Sequence, residues 1–174
     1  KEVKQEAVKE VKKPVIKEKF EVTQRPDNLV DIEDCEALTF LRNVAEQMNL
    51  KLDIKAQGND DSLYLDITGN DSGTIIGKRG QTLDSIQYLT SLVVNKNKEK
   101  YIRVIVDAEN YRAKREKTLE QLANRLADKV IKTRKSIRLE PMNPYERKVI
   151  HATLQSNPGI ITRSEGEQPY RRVI

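Results

Sequence analysis

The residues of this sequence best placed to do chemistry form one short run, Ile75-Ile76-Gly77-Lys78-Arg79-Gly80. Two glycines three apart leave the backbone bare of Cβ atoms on either side of two cations. Placed at the start of a helix beginning at Gln81, such a loop can turn its amides and the helix N-terminus toward anions. Other uses of a glycine loop fail on spacing. A nucleotide-hydrolase phosphate loop needs Gly at position 72 and Ser or Thr at 79, but Ser72 and Arg79 stand there. A dinucleotide fingerprint needs a third glycine where Ile75 lies. What remains is a cradle able to hold a run of sugar-phosphate backbone. A second constellation lies near the end of the chain, where Arg147 and His151 fall at i and i+4 on one helix face. Alone, that spacing is common by chance and describes a solvated face equally well.

Other chemistries are poorly supplied. Cys35 and His151 are the only cysteine and the only histidine, which excludes an intrachain disulfide and any His/Cys metal site. No carboxylate loop with calcium-ligand spacing is present, and no nucleophile is paired with a base. The expectation is therefore no metal, no cofactor, no catalytic residue and no enzyme. No apolar run is long enough to span a bilayer, and no signal-peptide pattern opens the chain, so a reducing, cytoplasmic setting is expected. Over 174 residues, 32 Lys and Arg against 27 Asp and Glu leave a net charge of +5, compatible with a polyanionic partner without demanding one. Hydrophobic residues make up 37% and charged ones 34%, a balance that favours two small cores with solvated segments over one large core.

The elements that must position these residues follow from periodicity. Residues 1 to about 30 alternate Lys and Glu with isolated valines, then Pro14, Pro26 and Asp27-Asn28. Such a stretch cannot bury enough apolar surface to offset chain entropy, and it reads as a charged, flexible linker to a part that precedes Lys1. Val3, Ala7 and Val11 also permit a helix against a partner. From Asp34, Leu38, Leu41, Ala45 and Met48 recur at helical spacing, with Asp31 or Asp34 as cap and Cys35 as a buried, inert thiol. Leu50 to Ala56 and Leu63 to Ile67 alternate around Gly58-Asn59-Asp60-Asp61, a hairpin with one buried face. Asp71 or Ser72 opens a single helical turn. Beyond the glycine loop, Leu83, Ile86, Leu89 or Thr90, and Val93 mark a helix, and Ile102 to Asp107 a third strand. Asp107 or Asn110 caps a long helix to about Thr133 with a stripe of Leu119, Leu122, Leu126 and Val130. Asn143, Pro144 and Glu146 form a strong start signal for a last helix, and short strands are expected at 160–163 and 170–174.

Strand, short helix, Gly-Lys-Arg-Gly and helix, in that order, closely resemble a KH domain. With the N-terminal helix and strand added, the order α-β-β-α-α-β is similar to the type II form. Residues 110 to 174 resemble the small domain named for its Arg-x-x-x-His pair. Both together, over 31 to 174, resemble the Jag/KhpB (SpoIIIJ-associated) family. The implied fold class is α+β: a KH domain over 31–108, then a small Arg-x-x-x-His α/β domain over 109–174, with the helix at 110–133 joining them. By that resemblance Gly77, Lys78, Arg79 and Gly80 would contact phosphate, while Ile75, Ile76 and Leu83 support the loop or line a groove for bases. Arg147 would donate to phosphate and His151 offer a ring N–H or a stacking face; Arg163, Arg171 and Arg172 would add looser contacts. The implied partner is single-stranded RNA, with single-stranded DNA left open. A small single-KH protein or a second copy would be a further partner. The resemblance also implies an RNA chaperone or post-transcriptional regulator linked to bacterial cell elongation and division.

Between Arg112 and Arg138 ten cations face three carboxylates, so the long helix could carry a strand along a basic outer face. Six tyrosines, two phenylalanines and no tryptophan favour backbone-led over stacking-led binding. The alternative is a protein–protein adaptor whose KH surface serves dimerisation.

Overall fold

Residues 25, 26 and 28–174 are described by the computed structural model, so most of the expected linker, with Val3, Ala7 and Val11, lies outside the described residues. Its last residues depart from the expectation. Val30–Ile32 forms a strand, β1, antiparallel to β2 (Asp53–Gly58). Just before it, Arg25 lies 5.3 Å over the Tyr64 ring and pairs with Asp66. Tyr64 is thereby buried on the face opposite Leu63 and Leu65, which corrects the hairpin with a single buried face. A lone aromatic on a polar face gives no periodic signal, and its cover comes from a stretch that reads as linker.

The hairpin turns at Asn59, whose side-chain oxygen accepts from the amides of Asp61 at 3.0 Å and Ser62 at 2.8 Å. β2 then pairs antiparallel with β3 (Ser62–Thr68), setting Ile54 against Ile67 and Ala56 against Leu65. β3 pairs in parallel with β4 (Arg103–Ala108), completing the sheet order β1-β2-β3-β4. A parallel pair needs a crossover. Here it consists of α2 (Ser72–Ile76), a 3-10 turn at Lys78–Gly80 and α3 (Gln81–Asn95), so the glycine loop sits at the bend of the crossover.

α3 and α1 (Glu36–Gln47) cover the sheet with Ala37, Leu38, Leu41, Leu83, Ile86 and Val94. On α3, Thr90 is buried rather than Leu89, because its hydroxyl donates to the Ile86 carbonyl at 2.8 Å and arrives satisfied. Val94 takes the place expected for Val93. Neither Asp31 nor Asp34 caps α1. Cys35 stands at the cap without a side-chain bond, while Asp31 accepts from Gln57. Asp71 precedes α2, but its carboxylate accepts from the Lys51 amide.

The second core lies between α4 (Tyr111–Thr133) and α5 (Pro144–Leu154). Its buried line on α4 is Leu119, Ala123 and Ala127, with Leu122, Leu126 and Val130 only half-buried. Alanines at i and i+4 let two helices approach closely, an advantage that a hydrophobicity count favouring leucine does not register. β5 (Ser164–Glu165) and β6 (Arg172–Val173) are shorter than expected, and β5 begins after the predicted strand has ended. Leu139 and Met142 donate to Val173 and Arg171, adding a third extended segment beside β6.

α5 starts as its sequence indicates, with a complete capping box between Asn143 and Glu146. Glu146 is buried and also accepts from Arg115 Nε at 2.7 Å. Glu146→Ala should therefore lower the unfolding free energy of this module by about 3 kcal/mol, since it strands a half-buried guanidinium as well as a cap. Urea denaturation against the wild type measures it.

Candidate nucleic-acid interface

The glycine loop is built from backbone geometry that side chains tolerate poorly. Gly77 has φ 68 and ψ −167, Arg79 φ 57, and Gly80 φ 78, so three of four residues lie at positive φ. A β-carbon on Gly77 would run into the Thr82 side chain; one on Gly80 would lie 2.6 Å from Tyr111 Cε1. The glycines thus have a reason the sequence does not show: both are required by the loop's inner side, where the chain doubles back and α4 closes on it.

Lys78 is exposed, Gly77 and Ile76 are half-buried, and Gly80 is buried under Tyr111. Arg79 is half-buried and pairs with Glu140, from the segment between α4 and α5. Ile75 and Leu83 are fully inside the first core, so they support the loop and do not line an open groove. α3 begins at Gln81 with no side-chain cap, leaving the first-turn amides without one of their usual partners. The loop is thus open on its Lys78 side and roofed on its Gly80 side.

The second group meets through a hydroxyl. Arg147 donates to Ser164 Oγ at 3.1 Å, and His151 Nε2 lies 2.9 Å from the same oxygen. His151 Nδ1 lies 2.7 Å from Thr162 Oγ1. A consistent proton arrangement has Ser164 accepting from Arg147 and donating to Nε2, with Nδ1–H donating to Thr162. Both ring nitrogens are then in use within the chain, so the expected N–H contact from His151 to a phosphate would have to displace one of these hydroxyls. Arg147 remains the charged member of the pair, and its Nε is enclosed without a hydrogen-bond partner among the described residues. Ser164 and Thr162 were not legible as site residues, because two hydroxyls in a short segment carry no spacing signal.

Arg171 and Arg172 lie at β6 and are half-buried; Arg171 donates to the Gly166 carbonyl at 2.8 Å and Arg172 Nε to the Tyr170 carbonyl at 3.4 Å. Arg163 pairs with Glu165. Of the ten cations in the stretch from Arg112 to Arg138, two are internal. Arg112 donates to Asp84 at 2.9 Å and to Gln87 and the Val106 carbonyl, and Arg115 holds Glu146. Asp84 also accepts from Asn143 at 3.3 Å, so α3, α4 and the start of α5 are laced together between the two candidate sites. An apolar concavity of about 530 Å³ lies in the second module among Ala127, Val130, Leu139, Leu154 and Ile160, and neither Arg147 nor His151 lines it. Among the described residues no cluster of His, Cys, Asp and Glu could hold a metal, and no helix is long and apolar enough to cross a membrane.

A crossover bent at Gly-Lys-Arg-Gly, followed by an Arg-x-x-x-His helix packed on a small sheet, defines a tandem of a KH domain and an R-3-H domain. Residues 36–106 match the family described as KhpA/KhpB, KH domain, and residues 117–174 match the R-3-H domain. The chain belongs to the KhpB family. It is 53% identical over 140 residues to a Clostridium symbiosum protein named RNA-binding protein KhpB, covering 79% of this chain and 63% of that relative. It is 46% identical over 141 residues to the Bacillus subtilis protein of the same name, covering 80% and 68%. A Streptococcus pneumoniae protein so named is 28% identical over 139 residues, covering 80% of this chain and 42% of that relative. The chain thus spans about two thirds of the first two relatives and less than half of the third.

Burial, and secondarily the charge of Arg147, hold the His151 imidazolium below the ordinary histidine range. Below about pH 6.5 the unfolded chain then binds more protons than the folded one, so this contribution is complete above that pH and is lost as pH falls. His151 is the only imidazole, so one NMR titration should give a midpoint below 6.5. Acid destabilisation between pH 7 and 5 should be smaller in His151→Gln than in the wild type. In the same melts Gly80→Ala should cost about 1–3 kcal/mol, through positive φ and the Tyr111 contact, whereas Gly73→Ala, with nothing within 4 Å, should cost nothing.

Proposed function

We propose that this protein binds single-stranded RNA through its backbone and performs no catalysis. Phosphates would be held by Gly77, Lys78, Arg79 and Gly80 with the uncapped start of α3, and by Arg147 on α5, with Arg171 and Arg172 at the margin. The observation carrying this reading is the loop itself: its positive-φ backbone sets an exposed lysine and a half-buried guanidinium beside a helix start that has no side-chain cap. The relatives named RNA-binding protein KhpB support it. We place the modules at 31–108 and 109–174, joined by α4, and read the protein as an RNA chaperone or post-transcriptional regulator in the cytoplasm, tied to bacterial cell elongation and division. Single-stranded DNA would compete only if the 2′-hydroxyl is not read.

A second reading has one observation in its favour. Tyr88, Leu89 and Leu92 on α3 are 65%, 49% and 51% exposed, an apolar face suited to a small single-KH protein or a second copy of this chain. As an adaptor the protein would form a stable oligomer without RNA affinity, and light scattering beside an RNA titration separates the two.

Lys78→Asp combined with Arg79→Asp should abolish measurable binding to a single-stranded RNA while leaving the circular-dichroism spectrum unchanged. For the wild type, log affinity should fall with log salt by about 0.7 per phosphate neutralised. Unchanged affinity in the double variant, or binding indifferent to salt, would rule out the loop-led mode.

A further inference from the structure

The two loop cations are in different states. Lys78 is exposed, with no ion pair among the described residues, whereas Arg79 is already matched by a carboxylate from the other module. That carboxylate, on Glu140, is 67% exposed, and Arg79 is its one ion-pair partner among the described residues. Its backbone is nonetheless fixed, because Leu139 before it and Met142 after it donate to the Val173 and Arg171 carbonyls at 2.9 and 3.1 Å, and Asn143 holds Asp84. A tethered anion is therefore presented to the loop without being buried there.

Resting on the reading of the loop as a phosphate site, we propose that Glu140 is a built-in competitor for it: its carboxylate occupies Arg79 in the free protein, and an RNA phosphate displaces it. Carboxylate and phosphodiester oxygens accept from a guanidinium in the same fork geometry, so one can replace the other without moving the backbone of Arg79. Exposed ion pairs are weak, so displacement lowers apparent affinity by a modest factor and does not close the site. Glu140 thereby sets the discrimination of the loop. A ligand offering one phosphate must evict the carboxylate for a single contact, while a strand that also engages Lys78 and Arg147 offsets that cost over several. The site is composite, with the second module supplying the group that a ligand must remove.

The test titrates a fluorescent single-stranded RNA of about a dozen nucleotides into the full chain in the wild type, Glu140→Gln, Arg79→Gln, Glu140→Gln with Arg79→Gln, and Glu120→Gln. The last removes the same charge from an exposed position on α4 away from the loop. The expected result is about two- to fivefold tighter binding in Glu140→Gln, a smaller change in Glu120→Gln, and no gain from Glu140→Gln once Arg79 is gone. If Glu140→Gln binds no tighter than Glu120→Gln, or if the gain persists without Arg79, the competitor role is wrong while the RNA reading stands. If neither the wild type nor Glu140→Gln binds, both fall together.

Discussion

The contact between Gly80 and Tyr111 is the constraint from which the rest follows. No β-carbon fits between that backbone and the ring, so the glycine loop and the first residue of α4 must be built together. The chain brings them together by an abrupt turn: β4 ends at Ala108, Glu109 and Asn110 both take positive φ, and Tyr111 starts the helix on top of the loop. Asp107 accepts from the amides of Ala108 and Arg112 across this turn, giving a partner to one first-turn amide that a helix start would otherwise leave unpaired. The first turn of α4 consequently packs on the first core, while Leu119, Ala123 and Ala127 further along build the second. A helix shared in this way transmits orientation, whereas a linker would not.

That shared helix changes what the positive charge is for. Arg112 and Arg115 sit inward and use their guanidinium groups on Asp84, Gln87, the Val106 carbonyl and Glu146. Arginine suits such a junction because its fixed fork of donors satisfies several acceptors at once. The cations left exposed on α4, such as Lys114, Lys117, Arg125 and Lys129, form a field without individual partners of that kind among the described residues. The module interface is therefore polar and specific, and it holds the two proposed anion-binding surfaces at one separation. Two weak sites at fixed separation raise the effective concentration of the second once the first is filled.

The sequence showed most clearly what is periodic or stereotyped. The two alternating runs, the Asn143–Glu146 box and the loop at the head of α3 all stand in the structure, because each is encoded within a few neighbouring residues. The failures have a common physical form. β1, the cover over Tyr64, and the Ala123–Ala127 line depend on what lies opposite them in space, and local pattern does not contain that. The same holds for the candidate site. Arg147 and His151 were visible as a pair, but the hydroxyls that fix their roles come from the far side of a turn, at Thr162 and Ser164. Glu140 was invisible for the same reason, being one exposed glutamate between a leucine and a proline.

Acidic residues beside a proposed polyanion site would ordinarily count against it, and the number of partners each one has settles the matter here. Asp84 lies next to the loop in sequence, yet both its oxygens are engaged, one by Arg112 and one by Asn143. Removing it from that network would unlace three helices, so it is part of the frame and its charge is neutralised in place. Glu140 has Arg79 as its one ion-pair partner among the described residues and is exposed. A carboxylate so held contributes little to stability and leaves readily. Of the two acidic groups at the loop, one is thus bound into the architecture and the other only to the Arg79 guanidinium, so flanking acids do not by themselves argue against the proposed anion site.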